Sequence, residues 1–172
     1  MPSSHPENKS WLLKKIKQIK PKNILDVGAG EGTYGEFIKS FINSNIVIDA
    51  IEVWQPYIDH FNLKSIYDNV YQKDVRVYDN FDYDIVIFGD VLEHMSANDA
   101  IQLWNRCSKQ AKYAIISIPI THMPQGAFNN NPYEIHVEED WNSELVLEKF
   151  HSIIDYKLFQ FTGAFIAKFT GN

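Results

Sequence analysis

NILDVGAGEGTYGEFI, residues Asn23 to Ile38, carries an apolar strand pattern straight into three glycines at alternate positions: Gly28, Gly30 and Gly32. Fixing a glycine costs backbone entropy, so three at one turn imply a left-handed backbone or the close approach of a ligand. Two frames compete for the turn. Counted from Gly30, the residues Gly30, Gly32 and Gly35 match the G-x-G-x-x-G dinucleotide fingerprint. The apolar run ends at Val27, however, so the first glycine is Gly28, and Thr33 then stands where that fingerprint needs its third. The frame that fits the strand end is Asp26-x-Gly28-x-Gly30-x-Gly32.

Outward from the turn, strands and helices alternate. A helix is predicted over Lys9–Lys20 and stopped by Pro21, its lysines forming a solvated face. Strands are predicted at Asn23–Val27, Asn45–Val53, Asn69–Asp74, Tyr83–Val91 and Lys112–Ile120. Helices are predicted over Gly32–Ile42, Gln55–Lys64, Ser96–Lys109 (with Ser96 as N-cap) and Glu138–Phe150. Two final apolar runs, Ser152–Phe161 and Gly163–Phe169, read as a hairpin turning at Thr162 and Gly163. Uninterrupted apolar strands between helices predict a parallel sheet covered on both faces. In such sheets ligands bind beyond the carboxyl ends of the strands, which is where the glycine turn lies.

The chain of 172 residues suits one domain, here residues 9–172 behind a loose polar tail of residues 1–8. A net charge of −6 speaks against broad phosphate-backbone binding, and so against a nucleic-acid partner. Cys107 is the single cysteine and falls in a helical pattern, where a small buried apolar role is expected. There is no apolar run of the ~20 residues that span a bilayer, so a cytoplasmic protein without membrane contact is expected.

Taken together, these elements resemble the class I S-adenosyl-L-methionine-dependent methyltransferases over nearly the whole chain. That resemblance implies an α/β fold, Rossmann-like and doubly wound, with a mostly parallel seven-stranded sheet and an antiparallel C-terminal hairpin. It implies a cofactor site made of Asp26, Gly28, Ala29, Gly30 and Gly32 at the turn, with Asp26 helping to hold the ammonium end. A carboxylate ending the second strand would meet the ribose hydroxyls. Glu52 stands there, 20 residues after Gly32, with Asp49 as the substitute if that strand is shorter. Val53 and Trp54 would flank the adenine, Trp54 being equally suited to core packing. Asp74, beside the Val75 amide, would meet the adenine amino group. Gly89 and Asp90 would lie near the methionine moiety.

FDYDIVIFGDVLEHM, residues 81–95, resembles the D-V-L-E-H element of small-molecule methyltransferases. It offers Glu93 and His94 as catalytic groups, joined by His136 from the later NPYEIHVEEDW stretch (131–141). Some ubiquinone-pathway and small-RNA methyltransferases carry E-x-x-E-H here and hold a divalent cation, the RNA enzymes adding a later histidine. Asp90 replaces the first glutamate in this chain, so Glu93 and His94 are expected to shape the pocket without a metal. NPY at 131–133 resembles the N-P-P-Y of DNA-base methyltransferases, but in those the element follows the fourth strand. The long segment Pro119–His136 reads as a lid or acceptor wall, with Met123, Phe128, Tyr133 and Trp141 able to line an apolar acceptor pocket. The expected protein transfers a methyl group to a small-molecule oxygen or nitrogen as a monomer or homodimer. A catalytically silent cofactor-binding subunit and an RNA or protein methyltransferase are the alternatives.

Overall fold

The computed structural model describes residues 6–42 and 45–170. Among these residues, seven strands form one sheet: β1 (Asn23–Val27), β2 (Val47–Ile51), β3 (Asn69–Tyr71), β4 (Ile85–Gly89), β5 (Tyr113–Pro119), β6 (Ile153–Leu158) and β7 (Thr162–Lys168). Their order is β3-β2-β1-β4-β5-β7-β6, with the first five parallel and β7 antiparallel to both its neighbours. The order reverses between β1 and β4, which opens a crevice at their carboxyl ends. This is the Rossmann-like arrangement that the alternating pattern implies.

Among the described residues, six α-helices cover the faces: α1 (Lys9–Ile19), α2 (Thr33–Phe41), α3 (Gln55–His60), α4 (Leu63–Ile66), α5 (Ala97–Cys107) and α6 (Ser143–Lys149). One core packs Phe88, Trp104, Phe150 and Phe165 beneath α5 and α6; the other packs Leu12, Ile16, Ile38 and Ile48 beneath α1 and α2. Ser96 caps α5 by accepting from the Asp99 amide at 3.1 Å. Cys107 is buried, and its thiol is pushed up by that burial.

Several boundaries differ from the sequence pattern. Residues 6–8 of the expected tail form a 3-10 turn, and Asn8 is fully buried; residues 1–5 lie outside the described residues. The C-terminal hairpin does not turn at Thr162 and Gly163, because both belong to β7, pairing with Pro119 and Ile118. Glu7 explains the shift: its Oε1 accepts from the Phe161 and Thr162 amides and from the Thr162 hydroxyl, holding Thr162 at the strand start. The sixth helix starts only after Asn142, whose side chain accepts from the Leu145 amide. Trp141 is buried against Phe150 at a centroid distance of 5.5 Å, and Phe128 is exposed, so neither lines a pocket. Of the four apolar candidates for the acceptor wall, Met123 and Tyr133 remain.

Candidate active site

A cavity of about 270 Å³ lies over the carboxyl ends of β1, β2 and β4. One of its walls begins at the glycine turn. Gly28, Gly30 and Gly32 all have positive φ, at 67°, 53° and 88°. The turn is tied to β2 through the Gly28 and Ala29 amides, which both donate to the Ile51 carbonyl, at 2.8 and 3.2 Å. At Gly28 a Cβ would stand 2.5 Å from the Val91 Cγ2, so only glycine lets the turn and the loop after β4 approach this closely.

Glu52 follows β2 and is buried, with Oε2 accepting from the Gly30 amide at 3.0 Å and Oε1 from the Trp54 amide at 2.8 Å. Burial raises its pKa, and the two backbone donors offset part of that. Asp49 sits inside β2 instead and accepts from the Tyr83 hydroxyl and the Asn69 amide group, which places it away from the cavity. Gly28, Gly30, Glu52, Val53, Asp74, Val75, Gly89 and Asp90 all line the cavity.

Four of the sequence-derived cofactor residues do not. Asp26 lies behind the turn, with its Oδ2 accepting from the Tyr67 hydroxyl at 2.5 Å. Ala29 is packed into the core beneath α1 and α2, and Gly32 begins α2 against Ile66. The Trp54 ring stands outside, 6.1 Å from the Tyr133 ring. Asp74 reaches the lining already engaged, because Arg76 donates to both of its carboxylate oxygens and holds its pKa below the usual range.

The opposite wall collects the residues of the D-V-L-E-H turn and the long loop. The Val137 and Glu138 amides donate to the Glu93 carbonyl at 2.9 and 3.0 Å, so the loop is folded back onto the turn through its backbone. Glu93, His94 and His136 consequently bring one ligand atom each within 4.8 Å of one another. His94 Nδ1 lies 3.2 Å from the Ile135 carbonyl and His136 Nδ1 lies 2.6 Å from the Met123 carbonyl. A carbonyl oxygen only accepts, so each Nδ1 carries a proton. Burial lowers the His94 pKa, which keeps that imidazole neutral.

Glu93 is fully buried, and among the described residues its Oε2 has no hydrogen-bond partner. Burial first, and then the Asp90 and Glu134 charges, push its pKa well above the usual carboxylate range. Glu134, Gln125 and Asn131 also line the cavity. Sequence reasoning passed over Asn131 and Gln125 because loop amides carry no local signal of burial. Pro6 and Thr162, from opposite ends of the chain, complete the rim.

The turn offers a buried carboxylate, Glu52, beside a wall that only glycine permits, while the Gly28, Ala29, Gly30 and Gly32 amides are already engaged within the protein.

Structural comparison places the chain among known methyltransferase folds. It superposes on human N-acetylserotonin methyltransferase, solved with S-adenosylmethionine, with a TM-score of 0.69 at 14% identity, covering 96% of this chain and 52% of that one. An O-methyltransferase family protein from Burkholderia thailandensis gives a TM-score of 0.65 at 11% identity, over 95% and 56% of the two chains. The 1,6-didemethyltoxoflavin N1-methyltransferase of the same organism, solved with its acceptor and S-adenosylhomocysteine, gives 0.65 at 15% identity, over 98% and 84%. The chain thus spans little more than half the length of two of these three proteins. No family model and no curated sequence matches it. At such identities the shared property is the fold, and the fold is that of class I methyltransferases.

Proposed function

We propose that the protein is an S-adenosyl-L-methionine-dependent methyltransferase acting on a small-molecule oxygen or nitrogen. The observation that carries this reading is the cavity itself. The Gly28–Gly30 turn and Glu52 form one wall, and His94 and His136, each with Nδ1 on a backbone carbonyl, form the other. When bound, the cofactor supplies a methyl group on a sulfonium whose bonding electrons stay on sulfur. The chain's part is to hold the acceptor atom in line, which accounts for much of the catalysis in such displacements. His94 or His136 then receives the acceptor's proton at Nε2. Met123 and Tyr133 give the acceptor an apolar surface. No described helix is long and apolar enough to cross a membrane. A cytoplasmic monomer, or a homodimer through the open β6 edge with its exposed Ile154, Tyr156 and Leu158, belongs to the same proposal.

Calorimetry with S-adenosylhomocysteine tests the cofactor. Binding in the micromolar range is expected, and Glu52→Ala should weaken it roughly 10- to 100-fold, as loss of a buried charged acceptor does. Absence of binding to the unaltered protein sinks the reading. With binding established, turnover of radiolabelled S-adenosylmethionine on phenols, sugars, amines and short RNAs separates small-molecule from RNA acceptors. Inactivity on the whole panel favours a silent binding subunit.

The Glu93–His94–His136 cluster supports a second reading, in which a divalent cation sits between the three side chains. Metal-ligating histidines characteristically donate their other ring N–H to a carbonyl, as both do here. Imidazole with one carboxylate suits Mn²⁺ or Zn²⁺ better than Mg²⁺. A cation at about 100 times its Kd would stabilise the fold by roughly 2.7 kcal/mol. Melting with and without Mn²⁺ or Zn²⁺ should therefore show a rise that His136→Ala abolishes. Equal melting temperatures with either metal and with EDTA would leave the histidines as proton acceptors alone.

A further inference from the structure

We propose that Lys9 is the anchor for the carboxylate at the amino-acid end of the cofactor, and that the Pro6–Asn8 turn exists to bring it there. The proposal rests on the S-adenosyl-L-methionine reading above. Nothing in the glycine turn or in Glu52 accounts for this end of the molecule, which carries a negative charge that needs a donor.

Lys9 is the first residue of α1 and is only 4% exposed. Among the described residues no acceptor reaches its Nζ. It rests over the Tyr34 ring, 3.8 Å from the centroid. A buried ammonium with three idle donors is unfavourable by itself, and its burial pulls the pKa down to about 8 despite Asp90, Asp26 and Glu31 nearby. Those acids do not hydrogen-bond it: Asp26 Oδ2 takes the Tyr67 hydroxyl, and Asp90 Oδ1 takes the Ser117 hydroxyl at 2.7 Å. Among the described residues these donors meet no acceptor, and a bound carboxylate would supply one.

The Tyr34 ring beneath Lys9 packs on Gly89 so closely that a Cβ there would lie 2.3 Å from its Cε2. Gly89 and Gly28 line the cavity on the same side. Lys9 does not itself line the cavity, and reaching a bound carboxylate takes a swing of its four-carbon stem past Tyr34.

The segment before Lys9 is fastened with unusual care for a chain end. Asn8 Nδ2 donates to the Ser117 Oγ at 2.8 Å and to the Thr162 Oγ1 at 3.0 Å. Glu7 fixes Phe161 and Thr162, and Ser117 passes the connection on to Asp90. A buried polar chain of this kind rigidifies what it holds. Here it fixes the start of α1 directly after Pro6, which lines the cavity.

The test compares two probes by calorimetry: S-adenosylhomocysteine, which has the amino-acid end, and 5′-methylthioadenosine, which lacks it. Lys9→Met keeps the stem and removes the charge. It should weaken S-adenosylhomocysteine roughly 10- to 100-fold, as removal of a charge-assisted hydrogen bond does, and leave 5′-methylthioadenosine within about twofold. The ligand-free melting temperature should stay level or rise, because an unpaired buried charge has gone. Lys9→Arg should recover part of the lost affinity. Equal losses for both probes, or no loss for either, overturn the Lys9 assignment while the cofactor reading stands. An unaltered protein that binds neither probe overturns both.

Discussion

Gly28→Ala is expected to cost roughly 2–5 kcal/mol of stability and to bring S-adenosylhomocysteine binding down by at least about 100-fold. Two separate penalties add. The backbone at Gly28 has φ of 67°, a left-handed conformation that costs an L-residue about 1–2 kcal/mol. The new methyl would also lie 2.5 Å from the Val91 Cγ2. Val91 is buried and lines the cavity, so forcing it aside overpacks the core by about 1–3 kcal/mol and deforms the binding wall. The two causes can be divided. Adding Val91→Ala to Gly28→Ala should return the overpacking share and leave the backbone share. Gly126→Ala is the control, since nothing lies within 4 Å of a Cβ at that loop position, and it should change stability by less than about 1 kcal/mol in either direction. Thermal melts and calorimetry measure all four proteins. A Gly28→Ala protein that melts like the unaltered one would show that the turn relaxes freely and that its glycine is dispensable.

How far the sequence foretold this site depends on the range over which each feature is encoded. The glycine turn, Glu52 and the D-V-L-E-H element are local: each is a few residues at the end of an apolar run, so strand ends place them. The strap is not. Asn8 owes its burial to Ser117 and Thr162, 109 and 154 positions away, and a polar, proline-marked stretch reads locally as a tail. Thr162 and Gly163 misled for a related reason. They have turn-like chemistry, yet Glu7 and the β5 ladder hold them in a strand. His136 was legible as a residue type, and its meeting with Glu93 and His94 depends on two backbone hydrogen bonds from a loop that has no periodicity. Asp26 was legible as the head of the motif. Its engagement with Tyr67, on the far side of β2, was not.

That engagement has a large consequence for pH. Asp26 is fully buried, and burial lifts its pKa from an ordinary 3.8 to about 7, opposed in part by the Tyr67 hydrogen bond and the Lys9 charge. A carboxyl whose folded pKa is raised contributes stability that is whole below its unfolded pKa and lost as pH rises through its folded one. Between pH 4 and 7 the folded state keeps a proton that the unfolded chain has released, and the loss over that window is roughly 4 kcal/mol. Lys9 slopes the other way: its lowered pKa gives a contribution that is lost as pH falls through about 8. Comparison with Asp26→Asn isolates the carboxyl, because asparagine still accepts from the Tyr67 hydroxyl and does not titrate. Denaturant unfolding at pH 4.5 and 7.5 is expected to show the stability difference, native minus Asp26→Asn, falling by several kcal/mol between the two. Identical profiles would mean that Asp26 is ionised throughout this range, with its charge met by Lys9 and the Tyr67 hydroxyl. In that case the motif's leading acid would hold a permanent negative charge behind the turn, and the ammonium of Lys9 would be its partner in the folded protein.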